Sequence, residues 1–120
     1  MNITSTTKTL KTFFDQVAPS YVEDCAPIGA DFPYLVYSLS TQEFTREGII
    51  QVRIFSQSRS IEEVATLTDE LEALIGEAGT VLDNGRGYLW LYKGIPFAQI
   101  EPTYEDNLKG MYIILRYRNV

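Results

Sequence analysis

The chain has 120 residues with no His, a lone Cys25, and ten Lys and Arg against sixteen Asp and Glu, for a net charge of −6. That length suits one domain able to bury a core without disulfides or a metal. The missing His closes off Ser-His-Asp and Cys-His catalysis and His-ligated zinc, while one Cys makes neither an intrachain disulfide nor a thiolate cage.

From the N-terminus, Met1 to Thr9 is polar, with no apolar stretch behind a basic head, so a targeting signal is not expected. Leu10, Phe13, Phe14 and Val17 then fall at i, i+3, i+4 and i+7, which predicts a helix over Thr9 to Val17 or a little beyond. Pro19, Pro27, Gly29 and Pro33 punctuate the next stretch, and Tyr21 to Asp31 reads as a helical turn plus loop, with Cys25 as a small packing residue. Tyr34 to Leu39 is aromatic and β-branched, hence a strand. A polar connection, Thr41 to Glu47 with the apolar Phe44 inside it, leads to a second strand over Gly48 to Ser56. Here Ile50, Val52 and Ile54 point one way, and Gln51, Arg53 and Phe55 the other.

Ser60 and Glu63 have the spacing of a capping box, which opens a helix over Ile61 to Ile75. Its apolar stripe is Ile61, Val64, Leu67, Leu71, Leu74 and Ile75, and Gly76 or Gly79 supplies the stop. Glu62, Asp69, Glu70 and Glu72 make its other side acidic, a solvated face or an electrostatic surface for a partner. Asp83 to Gly87 is a turn cluster, too short and wrongly placed before a strand to cradle phosphate. Strands come next over Tyr88 to Lys93, Phe97 to about Tyr104, and Met111 to Arg118, with Pro102 near an end or on an edge. The expected fold class is therefore α+β: a two-layer sandwich, mainly an antiparallel sheet of about five strands, with two helices on one face.

Two short helices cannot cover both faces of such a sheet. If they cover the Leu, Ile and Val side, the other face carries Arg53, Phe55, Tyr88, Trp90, Tyr92, Tyr112, Ile114 and Arg116. This mix is enriched at protein interfaces, and monomers rarely show it as one patch. Three uses stay open: an oligomer or partner interface, which leads, aromatics capping strand edges, and a ligand groove. Stacking of single-stranded nucleic acid is disfavoured by the acidic balance and the lack of clustered Lys. The paired acids lie on a helix surface or turn where solvation is the default, so neither catalysis nor a metal or other cofactor is expected. No apolar run approaches the roughly 18–20 residues of a membrane span. A cytoplasm with Cys25 reduced is the expected compartment.

The order helix, strand pair, capped helix, three strands resembles the tail-terminator (tail-completion) proteins of long-tailed bacteriophages and prophages. The segments that carry the resemblance are Phe32 to Tyr37, Ile50 to Ser56, Ser60 to Leu74, and the amphipathic close Gly110 to Tyr117. It spans nearly the whole chain and rests on element order and pattern. The resemblance implies a non-enzymatic virion protein in the tail, assembled in the bacterial host cytoplasm. It implies a homo-hexameric ring that caps the tail tube, stops its polymerisation and joins the head connector. The major tail tube protein and head–tail connector proteins would be its partners, and DNA would pass through the ring without specific recognition. A connector or minor tail protein, and a small ligand- or peptide-binding α+β module, are the alternatives.

Overall fold

A computed structural model describes residues 3–23, 25–41, 47–85, 87–103 and 105–119. The elements run α1 (Ile3–Phe14), β1 (Ser20–Val22), β2 (Tyr34–Thr41), β3 (Glu47–Ser56), α2 (Glu62–Ile75), β4 (Thr80–Asp83), β5 (Tyr88–Glu101) and β6 (Lys109–Asn119). The strands form a single sheet in the order β1-β2-β3-β6-β5-β4. Neighbours are antiparallel except β1 and β2, which run parallel. The fold is α+β, a sheet with both helices on one side, as the element pattern predicts.

Alternation along each strand decides which side the helices take. Leu35 and Tyr37 on β2, Ile50, Val52 and Ile54 on β3, Leu89 and Leu91 on β5, and Ile113, Leu115 and Tyr117 on β6 are all buried. Onto them pack Leu10, Phe13 and Phe14 of α1 and Val64, Leu71 and Ile75 of α2, making one core. Full burial of each such side chain is worth about 1.5–3 kcal/mol.

Several details depart from the sequence reading. The first helix begins at Ile3 rather than Thr9 and ends at Phe14 rather than Val17. Two of its Thr hydroxyls bond inside the helix, Thr9 donating to the Ser5 carbonyl at 3.0 Å and Thr12 to that of Lys8 at 3.2 Å, whereas the buried Thr6 Oγ1 has no hydrogen-bond partner among the described residues. Thr6 is buried, extending the Leu10 and Phe14 face back by a turn. The Ser60–Glu63 capping box is not formed. Ile61 occupies the cap position in helical geometry, and Ser60 Oγ instead accepts from the Glu62 N–H at 3.1 Å. On α2 the sheet-facing residues are Val64, Thr68, Leu71 and Ile75, while Ile61 and Leu74 lie at the margins, 39% and 38% exposed.

Ser20 to Val22 is a short edge strand that overlaps the start of the Tyr21 to Asp31 stretch read as a turn and loop, and Thr80 to Asp83 is a second strand absent from the sequence reading. The stretches read as separate strands on either side of Gly94 and Pro96 are one strand, β5, interrupted by a bulge. Lys93 pairs with Leu115 and Ala98 with Ile113, so Gly94 to Phe97 stand opposite Ile114 alone. Pro96 has no N–H to give the ladder, and the bulge absorbs it. The strand stops at Glu101, before Pro102, and Tyr104, placed near its end by the sequence reading, lies outside the described residues. Phe44 and Arg86 also lie outside them.

Candidate interaction face

With the helices on one side, the outer face of the sheet is built from the alternate residues of every strand. All eight residues expected at an interface stand on it. Cross-strand register sets their neighbours: Arg53 pairs with Tyr112, Gln51 with Ile114, Ile49 with Arg116, Trp90 with Arg118 and Tyr92 with Arg116.

They do not form a uniform patch. At one end Phe55 joins a ring cluster with Tyr34 at 5.7 Å, and Tyr34 in turn touches Phe32 at 5.1 Å and Tyr21 at 6.1 Å. At the other end Trp90 and Tyr92 stack, with ring centroids 4.3 Å apart and planes 28° off parallel. The Trp90 indole Nε1–H donates to the Ala78 carbonyl at 3.0 Å, which ties the α2–β4 connection to β5. Gly79 makes this approach possible: a Cβ there would come within 2.5 Å of Nε1, and its φ of +85° suits glycine.

Between the clusters lies Arg53. Its guanidinium meets Glu101 at 3.0 Å and Glu23 at 3.7 Å, and lies 5.4 Å from the centre of the Tyr112 ring. It therefore braces the face from the end of β1 across to β5. A depression beside it, lined by Glu23, Val36, Ser38 and Gln51 among others, holds about 10 Å³, room for about one water. A larger hollow, about 280 Å³, lies on the helix side beside Glu72, Glu77 and Lys93 and is acid-lined rather than aromatic.

Among the residues left outward and open are Tyr88, 54% exposed, Val81, 59% exposed, and Arg116, with the polar Gln51 and Gln99 and Arg118 exposed beside them. Among the described residues Arg116 has no acidic partner, while Arg118 meets Glu47 at 3.7 Å. Sequence reasoning missed Tyr34, Val36, Ile49 and Val81 on this face. The first three stand at alternate positions of recognised strands and were findable there; Val81 sits on β4, whose four residues are too few for a periodic signal.

The titrating groups that shift serve the fold. Burial pushes the Tyr37 phenol up to about 12, with Asp15 adding to it; its hydroxyl donates to the Thr7 carbonyl at 3.1 Å. Burial likewise raises Tyr117, whose hydroxyl donates to the Ser40 carbonyl at 3.2 Å. Among the described residues no three His, Cys, Asp or Glu side chains gather as metal ligands, and no helix is long and apolar enough to cross a membrane.

Neither a family model nor a curated protein matches this sequence. Solved structures are similar in fold, two among them as follows. One is a chain of the virion of a native gene transfer agent particle, with a TM-score of 0.62 and 10% identity, covering 94% of this chain and 96% of that one. The other, which carries no descriptive name, has a TM-score of 0.63 and 16% identity, covering 98% of this chain and 92% of that one. At these identities the likeness shows a shared fold.

Proposed function

We propose that this chain is a structural virion protein that closes the end of a phage-type tail tube. In this reading it is not an enzyme. Its copies associate in a ring of six, halt polymerisation of the tube, and offer the joint for the head connector. The major tail tube protein and the connector proteins are its partners, and it resides in the virion tail after assembly in the host cytoplasm.

The observation that carries the reading is the end-to-end likeness of fold to a chain of a phage-like particle, with almost nothing left over in either chain. The element order and the amphipathic last strand on which the sequence resembles tail terminators point the same way. The outer face adds a physical reason for assembly. Tyr88, Val81 and Arg116 stand exposed beside the Trp90–Tyr92 stack, and closed cyclic association gives every copy a neighbour to cover them.

Electron microscopy of tails made without this protein tests the proposal. Overlong tails, or tails that fail to join heads, are the expected result. Tails of normal, defined length that join heads would overturn it.

A further inference from the structure

The two faces of this molecule carry complementary surfaces. On α2, the ridge pointing away from the sheet consists of Glu62, Thr66, Asp69, Glu70 and Ala73, because the buried ridge is Val64, Thr68, Leu71 and Ile75. The helix has no basic residue, and its ion pair, Glu72 with Lys93 at 3.7 Å, lies to the side of that ridge, at a hollow that Asp69 and Ala73 also line. Among the described residues Glu62, Asp69 and Glu70 have no basic partner. Small residues, Thr66 and Ala73, flank the Asp69–Glu70 pair, so a broad aromatic surface can approach the carboxylates closely. On the opposite side of the molecule the outer sheet face offers such a surface: the unpartnered Arg116 beside Tyr92, with Trp90 and Arg118 one row away.

We infer that the outward ridge of α2 in one copy docks on the Arg116–Tyr92–Trp90 corner of the outer sheet face in the next copy. The inference rests on the self-association proposed above and supplies its contact. The two surfaces lie on opposite layers of one chain, so the contact is head-to-tail and leaves a free end of each kind until the assembly closes. Arg116 makes the paired hydrogen bonds a guanidinium offers a carboxylate, with Asp69 or Glu70 as acceptor. The Trp90 and Tyr92 rings cover the helix around Thr66 and Ala73. A helix of 14 residues is about 21 Å long, enough to cross several strands at about 4.8 Å spacing.

Charge reversal in two separate chains tests this contact. Arg116→Glu alters the sheet surface, and Asp69→Lys with Glu70→Lys alters the helix surface. All three positions are exposed, and circular dichroism checks that each variant folds. Sedimentation velocity of the parent should show assembly that weakens as salt is raised to about 0.5 M, where screening acts within a few ångströms. Each variant alone should need about tenfold or more higher concentration to assemble. An equimolar mixture should recover the parent's assembly, because every helix then again faces a sheet surface of opposite charge. A parent that stays monomeric, a variant that assembles like the parent, or a mixture that fails to recover would each overturn the contact. None of these decides the tail-closing role, which is read on tail length and head joining.

Discussion

At the scale of the residue, buried polar groups set the molecule's response to pH. The folded phenol of Tyr37 titrates at about 12 against an ordinary 10.0, so the folded state holds its proton where the unfolded chain has begun to lose it. Its contribution to stability is thus complete below the ordinary value and is lost as pH rises through about 12. Tyr37→Phe should cost about 1 kcal/mol at neutral pH, the lost hydrogen bond to Thr7, and should flatten the decline in stability at alkaline pH. Tyr117, raised in the same direction, keeps a residual slope. Urea denaturation followed between pH 8 and pH 11 checks both the sign and the flattening. Arg53 is the second residue with a defined cost. It spans two carboxylates and a ring on a half-exposed face, where each ion pair is worth little by itself. Arg53→Gln should lower stability by about 1 kcal/mol, and less in 1 M salt, measured by the same denaturation. Alternation along Tyr88 to Tyr92 and Met111 to Arg118 makes the aromatic face legible in sequence. That Arg53 and the Trp90 indole are already engaged within the chain is not legible. Their partners, Glu23, Glu101 and Ala78, come close only through strand pairing and a tight connection that no local pattern encodes.

At the scale of the element, α2 shows how far an apolar stripe specifies packing and where it stops. Val64, Leu71 and Ile75 are fully or almost fully buried, so the stripe names the core-facing side correctly. Leu71→Asp puts an unpaired carboxylate against β3, β5 and β6, at a cost of about 4 kcal/mol or more, and should unfold the domain. A variant that melts within about two degrees of the parent would show that Leu71 is not core, since about 1 kcal/mol shifts a domain this size by several degrees. The start of the helix is less legible: Ile61 takes the cap position in helical geometry and displaces the Ser60–Glu63 box. The first helix reads short in sequence for a related reason, because a Thr-rich turn has poor intrinsic propensity and becomes helical where Thr6 is buried and Ser5 Oγ bonds Asn84 at 2.6 Å. Short strands escape for want of length, β1 with three residues and β4 with four. The break at Gly94 and Pro96 looks in sequence like a gap between strands, and in space is a bulge within one.

At the scale of the whole molecule, the centre of the sheet is assembled from strands far apart in the chain. β3 lies between β2 and β6, with Glu47 opposite Arg118 and Ser56 opposite Lys109, so α2, β4 and β5 all form inside the loop that this pairing closes. Element order alone does not reveal that the last strand is central. The topology has a kinetic consequence, since the entropy of closing such a loop is lost before the pairing rewards it. Refolding should therefore fall in the millisecond-to-second range typical of sheets built on non-local pairs, not the microseconds of helical bundles. It also has a thermodynamic one. Both helices and four of the strands share one core cluster, so no half of the sheet keeps a core of its own when the β3–β6 pairing is lost. Trp90 stands at the far corner from β1, where β4 and the α2–β4 connection meet β5, and reports on that corner. Its fluorescence and the far-ultraviolet signal of the strands and helices should change along one curve in denaturant, with the same midpoint and slope. A Trp90 transition at lower denaturant would mean that the β4–β5 corner opens by itself, and that the chain behaves as two cooperative units rather than one.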